Sequence, residues 1–479
     1  MNKELALSLV VFLPLIGAVI LPLIGRFSKG LRNLLAFMLV FSSFLLSILL
    51  LPSILHGQEI NIAVNLPLGF NFILTADGLA IFMALVSSAL SAIILFYSFS
   101  YISHYEDQNE YYFMAVLFLG AMMGIIFSAN LIFLYVFWEI TAVTSWRLIG
   151  FFRKKADILR ADKAFLVTMF GAAMMLIGFI AIFNQTGSFD LAVIKEAVKA
   201  RPLNNVVIGL ILIGILSKSA TLPFHTWLPD AGVAPSPVTA LLHAAILVKI
   251  GLYVFARLFV VNISLGALWQ NYLPWIAGIS AIISAAAALK ETDLKRLIAY
   301  STVSQIGFIF LGLAINNTTG IAGGLLYILT HGLAKAGLFL CAGIIEQNTG
   351  TKDITKLGGL IKTMPLTALA FLFCSFSVMG IPPFGGFFAK YLVFSGAISS
   401  GRLGVTALFL IGAFMTILYL FRVFFLVFLG KNKIEAREGS WGMVSSVALL
   451  AVLSLASGVL VAWPINFLGN FLGRILGAA

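Results

Sequence analysis

Val206-Val207-Ile208-Gly209-Leu210-Ile211-Leu212-Ile213-Gly214-Ile215-Leu216-Ser217-Lys218-Ser219-Ala220-Thr221-Leu222-Pro223-Phe224-His225-Thr226-Trp227-Leu228-Pro229-Asp230 decides the reading of this chain. An unbroken apolar run ends on a lysine, and Pro223 follows five residues later. A proline removes a backbone donor, and lipid offers no replacement partner, so such a break is tolerated only where it faces protein or a wet cavity. The stretch therefore predicts an interrupted membrane helix with a charge at its break. A second stretch repeats the pattern in reverse. Gly380-Ile381-Pro382-Pro383-Phe384-Gly385-Gly386 interrupts an apolar run, and Lys390 follows Pro383 by seven residues. One lysine precedes its break and the other follows it.

The rest of the chain agrees with a membrane setting. Of 479 residues, 61% are hydrophobic and 10% charged, and the mean hydropathy is +1.08. Soluble proteins carry roughly 25% charged residues, so a water-soluble fold is excluded. The net charge of +12 would suggest nucleic acid in a soluble chain. Here it reads as a topology signal, and no nucleic-acid partner is expected. The two cysteines, Cys341 and Cys374, lie in separate apolar runs, so neither a disulfide framework nor a cysteine metal site is expected.

A bilayer core needs about 20 apolar residues per helix. Runs of that kind lie near 5–25, 33–54, 77–102, 112–128, 130–150, 163–184, 205–223, 236–260, 269–289, 295–315, 319–345, 364–397, 404–430 and 441–468. The predicted fold is all-α and integral to the membrane, with about fourteen transmembrane helices. The matched breaks in the seventh and twelfth fall five spans apart with opposite polarity, as two inverted five-helix repeats would place them. The expected organisation is helices 1–3 over 1–110, a first repeat over 111–260, a second over 261–430 and a last helix within 431–479. The first span is read as a retained helix, because it lacks a small-residue cleavage pattern.

Basic residues should mark the cytoplasmic loops. Arg26, Lys29, Arg32, Arg153, Lys154, Lys155, Arg160, Lys163, Lys290, Lys295, Arg296, Lys352, Lys356, Lys362, Lys431, Lys433 and Arg437 fall in alternate loops. The opposite side keeps Lys3, Lys195, Lys199, Arg201, Arg257, Arg402 and Arg474. A cell inner or plasma membrane location is expected, with the basic loops cytoplasmic and both termini outside. The loop from His104 to Glu110 is an acidic exception to this scheme.

Six basic residues remain inside spans: Arg147, Lys218, Lys249, Lys335, Lys390 and Arg422. A charge at mid-bilayer costs about 2.5–3.5 kcal/mol on insertion scales, so such residues need pairing or hydration within the bundle. Arg147 and Arg422 fit snorkelling toward the interface. Glu139, in Trp138-Glu139-Ile140-Thr141, reads as the only deeply placed acid and is expected to pair with Lys218. Lysine suits a proton path because burial and a nearby carboxylate push its proton affinity in opposite directions. His243 lies inside the eighth span, and His331 precedes Lys335 by four residues on one helix face. His225 lies in a loop, where it could line proton uptake or pack. No cofactor is expected, and no metal, since ligand spacing within one element is missing.

These residues carry a resemblance. The segments Phe137 to Glu139, Lys218 to Ala231, Pro235 to Gly251, Ala299 to Gly307, Thr330 to Lys335 and Gly380 to Lys390 resemble the antiporter-like subunits shared by respiratory complex I, membrane-bound hydrogenases and multi-subunit (Mrp-type) cation/proton antiporters. The resemblance implies a proton-translocating subunit embedded in lipid among sister membrane subunits. In it Glu139 is the fifth-helix acid paired with Lys218. Lys249 is the connecting lysine of the eighth helix, and Lys390 is the terminal lysine of the twelfth. His243, His331 and Lys335 are relay positions. Arg147 departs from the apolar residue expected at its place. Because the chain ends soon after its last span, the Mrp D-type or hydrogenase-type member is favoured. A sodium site would need more oxygens than Glu139 supplies, so Na+, if moved, is expected in a sister subunit.

Three other classes are weighed on the residues. A redox or quinone-binding enzyme subunit lacks a cysteine cluster, a paired axial-histidine pattern and a dinucleotide fingerprint. An organic-solute carrier should offer a neutral, aromatic midplane pocket in place of a file of lysines. A scaffold subunit would tolerate neutralisation of Lys218 and Lys390.

Overall fold

The computed structural model describes residues 2–67, 71–431, 433–434 and 436–476. Among them, twelve helices are long and apolar enough to cross a membrane, from Lys3–Phe27 to Trp441–Val459. The predicted seventh and twelfth spans do not form single long helices. The seventh gives Asn205–Lys218, which stops at the lysine. The twelfth gives Pro365–Met379 and Gly385–Ser399 on either side of its break.

Local chemistry sets these boundaries. Asn130, Asn204, Asp293 and Asn317 each accept a backbone N–H of the following first turn with the side-chain oxygen, as good N-caps do. Gly380 ends Pro365–Met379 at φ +83°, a left-handed conformation that favours a residue without Cβ. Gly386 is required for a different reason. A Cβ there would lie 1.8 Å from the Ser377 carbonyl oxygen, so the close approach of the two halves at this point requires glycine.

By its contacts the chain divides into two compact units. One comprises Met1–Ala92, Tyr105–Ser219 and Ile246–Trp269; the other comprises Ile93–His104, Ala220–Ala245 and Gln270–Ala479. The chain leaves the first unit immediately after Lys218 and Ser219. In the second unit, Leu294–Ala314 and Thr318–Thr349 are buried almost throughout and carry many of its buried polar side chains.

Four features differ from the sequence reading. The eighth span is irregular: Ser236–Ala240 and Leu247–Phe255 are α-helical, whereas Leu241–Ala245 and Ala256–Asn262 are π-helical. The loop after the second helix forms an antiparallel hairpin, Ile60–Asn65 with Asn71–Ala76, in which Ile60 faces Ala76. Amphipathic helices Leu191–Ala200 and Ala462–Leu476 add to the predicted spans.

Several basic residues assigned to loops are buried and paired instead. Arg32 donates to Gln108 at 2.8 Å, and Lys295 contacts Glu346 at 2.9 Å. Arg257 lies within the end of the eighth span and is bound to Asp77. These three are therefore weak markers of sidedness. The acidic exception is explained by its partners, since Glu110 takes hydrogen bonds from Arg147 at 2.9 Å and Arg153 at 2.6 Å.

Candidate functional site

In the first unit, Glu139 sits at mid-length on Leu131–Ile149, and Lys218 is the last residue of Asn205–Lys218. Lys218 thus closes its helix at the end whose backbone dipole favours positive charge. Lys218 is buried, and its Nζ donates to the Trp138 carbonyl oxygen at 3.4 Å and lies 5.2 Å from the centre of the Trp138 ring. The two residues are thus brought together, but Lys218 donates to the neighbour of Glu139 and not to its carboxylate. Tyr135 lies one turn before Glu139 on the same helix, and the Glu139 Oε1 is buried with no hydrogen-bond partner among the described residues. Lys249, on Leu247–Phe255, is also buried in this unit.

The first unit also holds a buried carboxylate paired with a buried cation. Asp77 receives both terminal nitrogens of Arg257, one at 2.8 Å, and Tyr253 accepts from the same guanidinium at 2.7 Å. Asp77 immediately precedes the helix Gly78–Tyr101, so this acid lies at the end of a span, unlike Glu139 at mid-length of its helix. Burial pushes the Asp77 carboxyl up, but the Arg257 charge and hydrogen bonds outweigh it and hold the group below the ordinary aspartate value. A cavity of about 320 Å³ beside this pair is lined by Glu59, Asn61, Thr75, Asp190 and Lys195 among others.

The second unit gathers His243, His331, Lys335 and Lys390. Tyr327, His331 and Lys335 recur every four residues along Thr318–Thr349 and so share one face. Lys335 donates to Ser301 Oγ at 2.6 Å and to the Ile298 carbonyl at 3.2 Å. Lys390 donates to the carbonyls of Val378 at 2.7 Å and Met379 at 3.4 Å, the last two residues of the preceding half-helix. Its ammonium also lies over the rings of Phe308, at 4.7 Å, and Tyr327, at 5.8 Å. His243 is buried in the first π-helical stretch against Phe339, with ring centres 4.4 Å apart. Neither of its ring nitrogens has a hydrogen-bond partner among the described residues.

Each interrupted helix therefore sets a buried lysine at the carbonyl end of a half-helix. Lys218 does so from its own terminus and Lys390 from across the break. Arg422, expected to snorkel, donates to Leu289 O at 2.6 Å and caps the end of Ala267–Lys290. His225 lies in the turn before Trp227–Asp230. No cluster of metal-ligating side chains occurs among the described residues.

Residues 128–416, which hold all seven of the predicted path residues, match the transmembrane family described as NADH:quinone oxidoreductase/Mrp antiporter. The chain belongs to that family. Among curated relatives of this Mrp antiporter family chain, the Na(+)/H(+) antiporter A1 subunit of Staphylococcus haemolyticus (strain JCSC1435) is 35% identical over 491 residues, covering 95% of this chain and 61% of the relative. The A-type Na(+)/H(+) antiporter subunit of Alkalihalophilus pseudofirmus (strain ATCC BAA-2126 / JCM 17055 / OF4) is 33% identical, covering 93% and 60%. The chain thus spans about six tenths of the length of these relatives.

Among solved structures, a chain of the Mrp complex from Dietzia sp. DQ12-45-1b superposes with a TM-score of 0.89 at 23% identity over 99% of this chain and 98% of that one. A chain of the membrane-bound sulfane sulfur reductase, an archaeal respiratory membrane complex, gives 0.90 at 26% identity and covers 98% of each. The all-helical antiporter-like fold follows from these superpositions. The D-type expectation does not hold against the A-type relatives. It rested on where the chain ends, whereas the similarity runs along nearly the whole chain and reaches only part of much longer proteins.

Proposed function

We propose that this chain is a proton-translocating membrane module of a multi-subunit cation/proton antiporter, related to the A-type component of Mrp Na+/H+ antiporters. The observation that carries the reading is the placement of Lys218 and Lys390, each buried at the carbonyl end of an interrupted half-helix. A charge so placed is held by backbone dipoles that do not move with it, while a nearby carboxylate tunes its hold on the proton. The proton occupies Lys218, is passed through Lys249, His243, His331 and Lys335, and leaves by Lys390. Glu139 closing on Lys218 holds that lysine protonated, and separating them pushes charge onward.

The repeats assigned to 111–260 and 261–430 each supply one broken helix to this path. The basic loops face the cytoplasm and both termini the outside. Sister membrane subunits complete the complex, and Na+ crosses in one of them. The test is cation/proton exchange in inverted membrane vesicles from cells making the complete complex. Lys218→Ala and Glu139→Gln each abolish proton movement with the chain at its normal level in the membrane; wild-type exchange in either overturns the mechanism.

The likeness to a chain of an archaeal respiratory membrane complex supports a second reading, in which the same module is the pump limb of a redox enzyme. Purification in mild detergent separates the two. Iron–sulfur proteins travelling with the chain favour the redox limb, and a colourless set of small hydrophobic subunits favours the antiporter.

A further inference from the structure

Lys335 and Lys390 are linked by a file of uncharged side chains, all buried. Lys335 Nζ donates to Ser301 Oγ at 2.6 Å, and Ser301 Oγ shares a proton with Tyr419 OH at 2.7 Å. Gln305 comes next. Its Nε2 lies 3.4 Å from Tyr419 OH and 3.1 Å from Thr416 Oγ1, and its Oε1 accepts from Tyr327 OH at 2.6 Å. The ring of Tyr327 in turn faces Lys390 at 5.8 Å. A hydroxyl passes a proton by accepting one and donating another, so Ser301 and Tyr419 form a relay from Lys335.

An amide does not behave this way. Its nitrogen has two donors and no basic lone pair, so whichever way the amide group faces, one half of the file meets an atom that takes up no proton. The side route is closed as well, because the Thr416 hydroxyl donates to the Gly412 carbonyl at 2.8 Å. The file is therefore continuous in contact but interrupted in proton transfer at Gln305; its last contact, between Lys390 and the Tyr327 ring, is electrostatic and passes a proton only when the flexible lysine stem carries its ammonium to the Tyr327 hydroxyl.

We propose that Gln305 is a proton-insulating residue between Lys335 and Lys390, holding the hydroxyls of Tyr419 and Tyr327 in register while preventing the two lysines from exchanging protons freely. This rests on the proton-translocating reading above. Transport coupled to another event requires such a break, since two sites in free exchange would leak protons whenever a gradient existed. Passage past Gln305 then requires rearrangement of the amide or of its neighbours, and that rearrangement is where coupling acts.

The experiment imposes a pH gradient on inverted vesicles carrying the complete complex, with no exchangeable cation present, and follows its decay with a pH-sensitive dye. Gln305→Glu replaces the amide with a carboxyl group, which accepts at one oxygen and donates at the other. It is expected to collapse the gradient several-fold faster than wild type, and Lys390→Ala in the same chain should restore a slow decay. Gln305→Met fills the space with no relay atoms and should hold the gradient as tightly as wild type. A Gln305→Glu chain present at normal levels that holds the gradient overturns the proposal, as does a leaking Gln305→Met chain, which decides the matter if the glutamate variant fails to assemble. Cation-driven exchange in Lys218→Ala is measured alongside. Loss there with a tight Gln305→Glu rejects only the insulator, whereas undiminished exchange in Lys218→Ala rejects the proton path itself.

Discussion

Lys390 Nζ donates to the Val378 carbonyl oxygen at 2.7 Å across the break that separates Pro365–Met379 from Gly385–Ser399. One side chain thereby joins the two halves of a broken helix, and in the proposed path the same side chain carries the proton. Carbonyls at a helix end inside a membrane have no water to satisfy them, so the contact has a structural role beside the proposed one.

Those two roles separate by substitution. Lys390→Met leaves a buried acceptor without its donor and is expected to cost about 1–3 kcal/mol of stability together with transport. Lys390→Arg keeps donors but holds its proton permanently, so stability should be largely retained while transport is lost. Thermal unfolding in detergent and exchange in vesicles measure the two. Wild-type exchange by the arginine variant would show that Lys390 need not release a proton.

Tyr135 carries no charge to mark it in the sequence, yet it lies one helical turn before Glu139 on Leu131–Ile149, where residues four apart are neighbours. Tyr135→Phe removes the hydroxyl beside Glu139 without removing the carboxylate. Exchange should slow but persist, in contrast with the complete loss expected of Glu139→Gln. Equal loss in both variants would place the tyrosine hydroxyl on the path itself.

The Asp77 and Arg257 pair gives a stability prediction with a definite sign in pH. Breaking a buried ion pair by removing one partner costs about 3–5 kcal/mol, because the other charge stays buried. Asp77→Asn should therefore lower the unfolding temperature more than the double change with Arg257→Met. Burial opposes ionisation of Asp77, but the guanidinium prevails and the folded carboxyl lies below its unfolded value. The stabilisation is thus fully present above about pH 4 and is lost as pH falls through the lower folded value. Unfolding followed from neutral to acid pH checks this; a stability that rises on acidification contradicts it.

Charged residues make much of this site legible in the sequence. A lysine beside a proline in an apolar run is costly enough to announce itself, and so Lys218, Lys390 and their breaks stand out. Arg257 is misplaced by sequence reasoning because it lies at the end of a span, where a loop arginine cannot be distinguished from one folded back onto Asp77. The alignment of Ser301, Gln305, Tyr327 and Tyr419 stays silent for a different reason, although Ser301 and Gln305 fall within a segment that carries the resemblance. Uncharged polar side chains are common in membrane helices, and only the approach of neighbouring helices aligns these four. The π-helical stretches of the eighth span are equally hidden, since neither glycine nor proline marks their start.

His243 provides the last prediction. It is buried in a π-helical stretch, a local irregularity often found at functional positions, and packs against Phe339. Neither ring nitrogen bonds a protein group among the described residues, although buried polar side chains are nearly always satisfied. Such a ring costs stability, on the order of 1–3 kcal/mol for an unmet polar group, so the proposed relay role and a packing role predict opposite effects of removing its nitrogens. His243→Leu removes the polar atoms and keeps the apolar contact with Phe339. The variant should unfold at the same or a higher temperature than wild type while its proton exchange falls sharply. His243→Gln, which keeps hydrogen-bonding atoms but offers no titratable nitrogen, should also lose exchange. A leucine variant that unfolds earlier yet exchanges normally would make His243 a packing residue and remove it from the path.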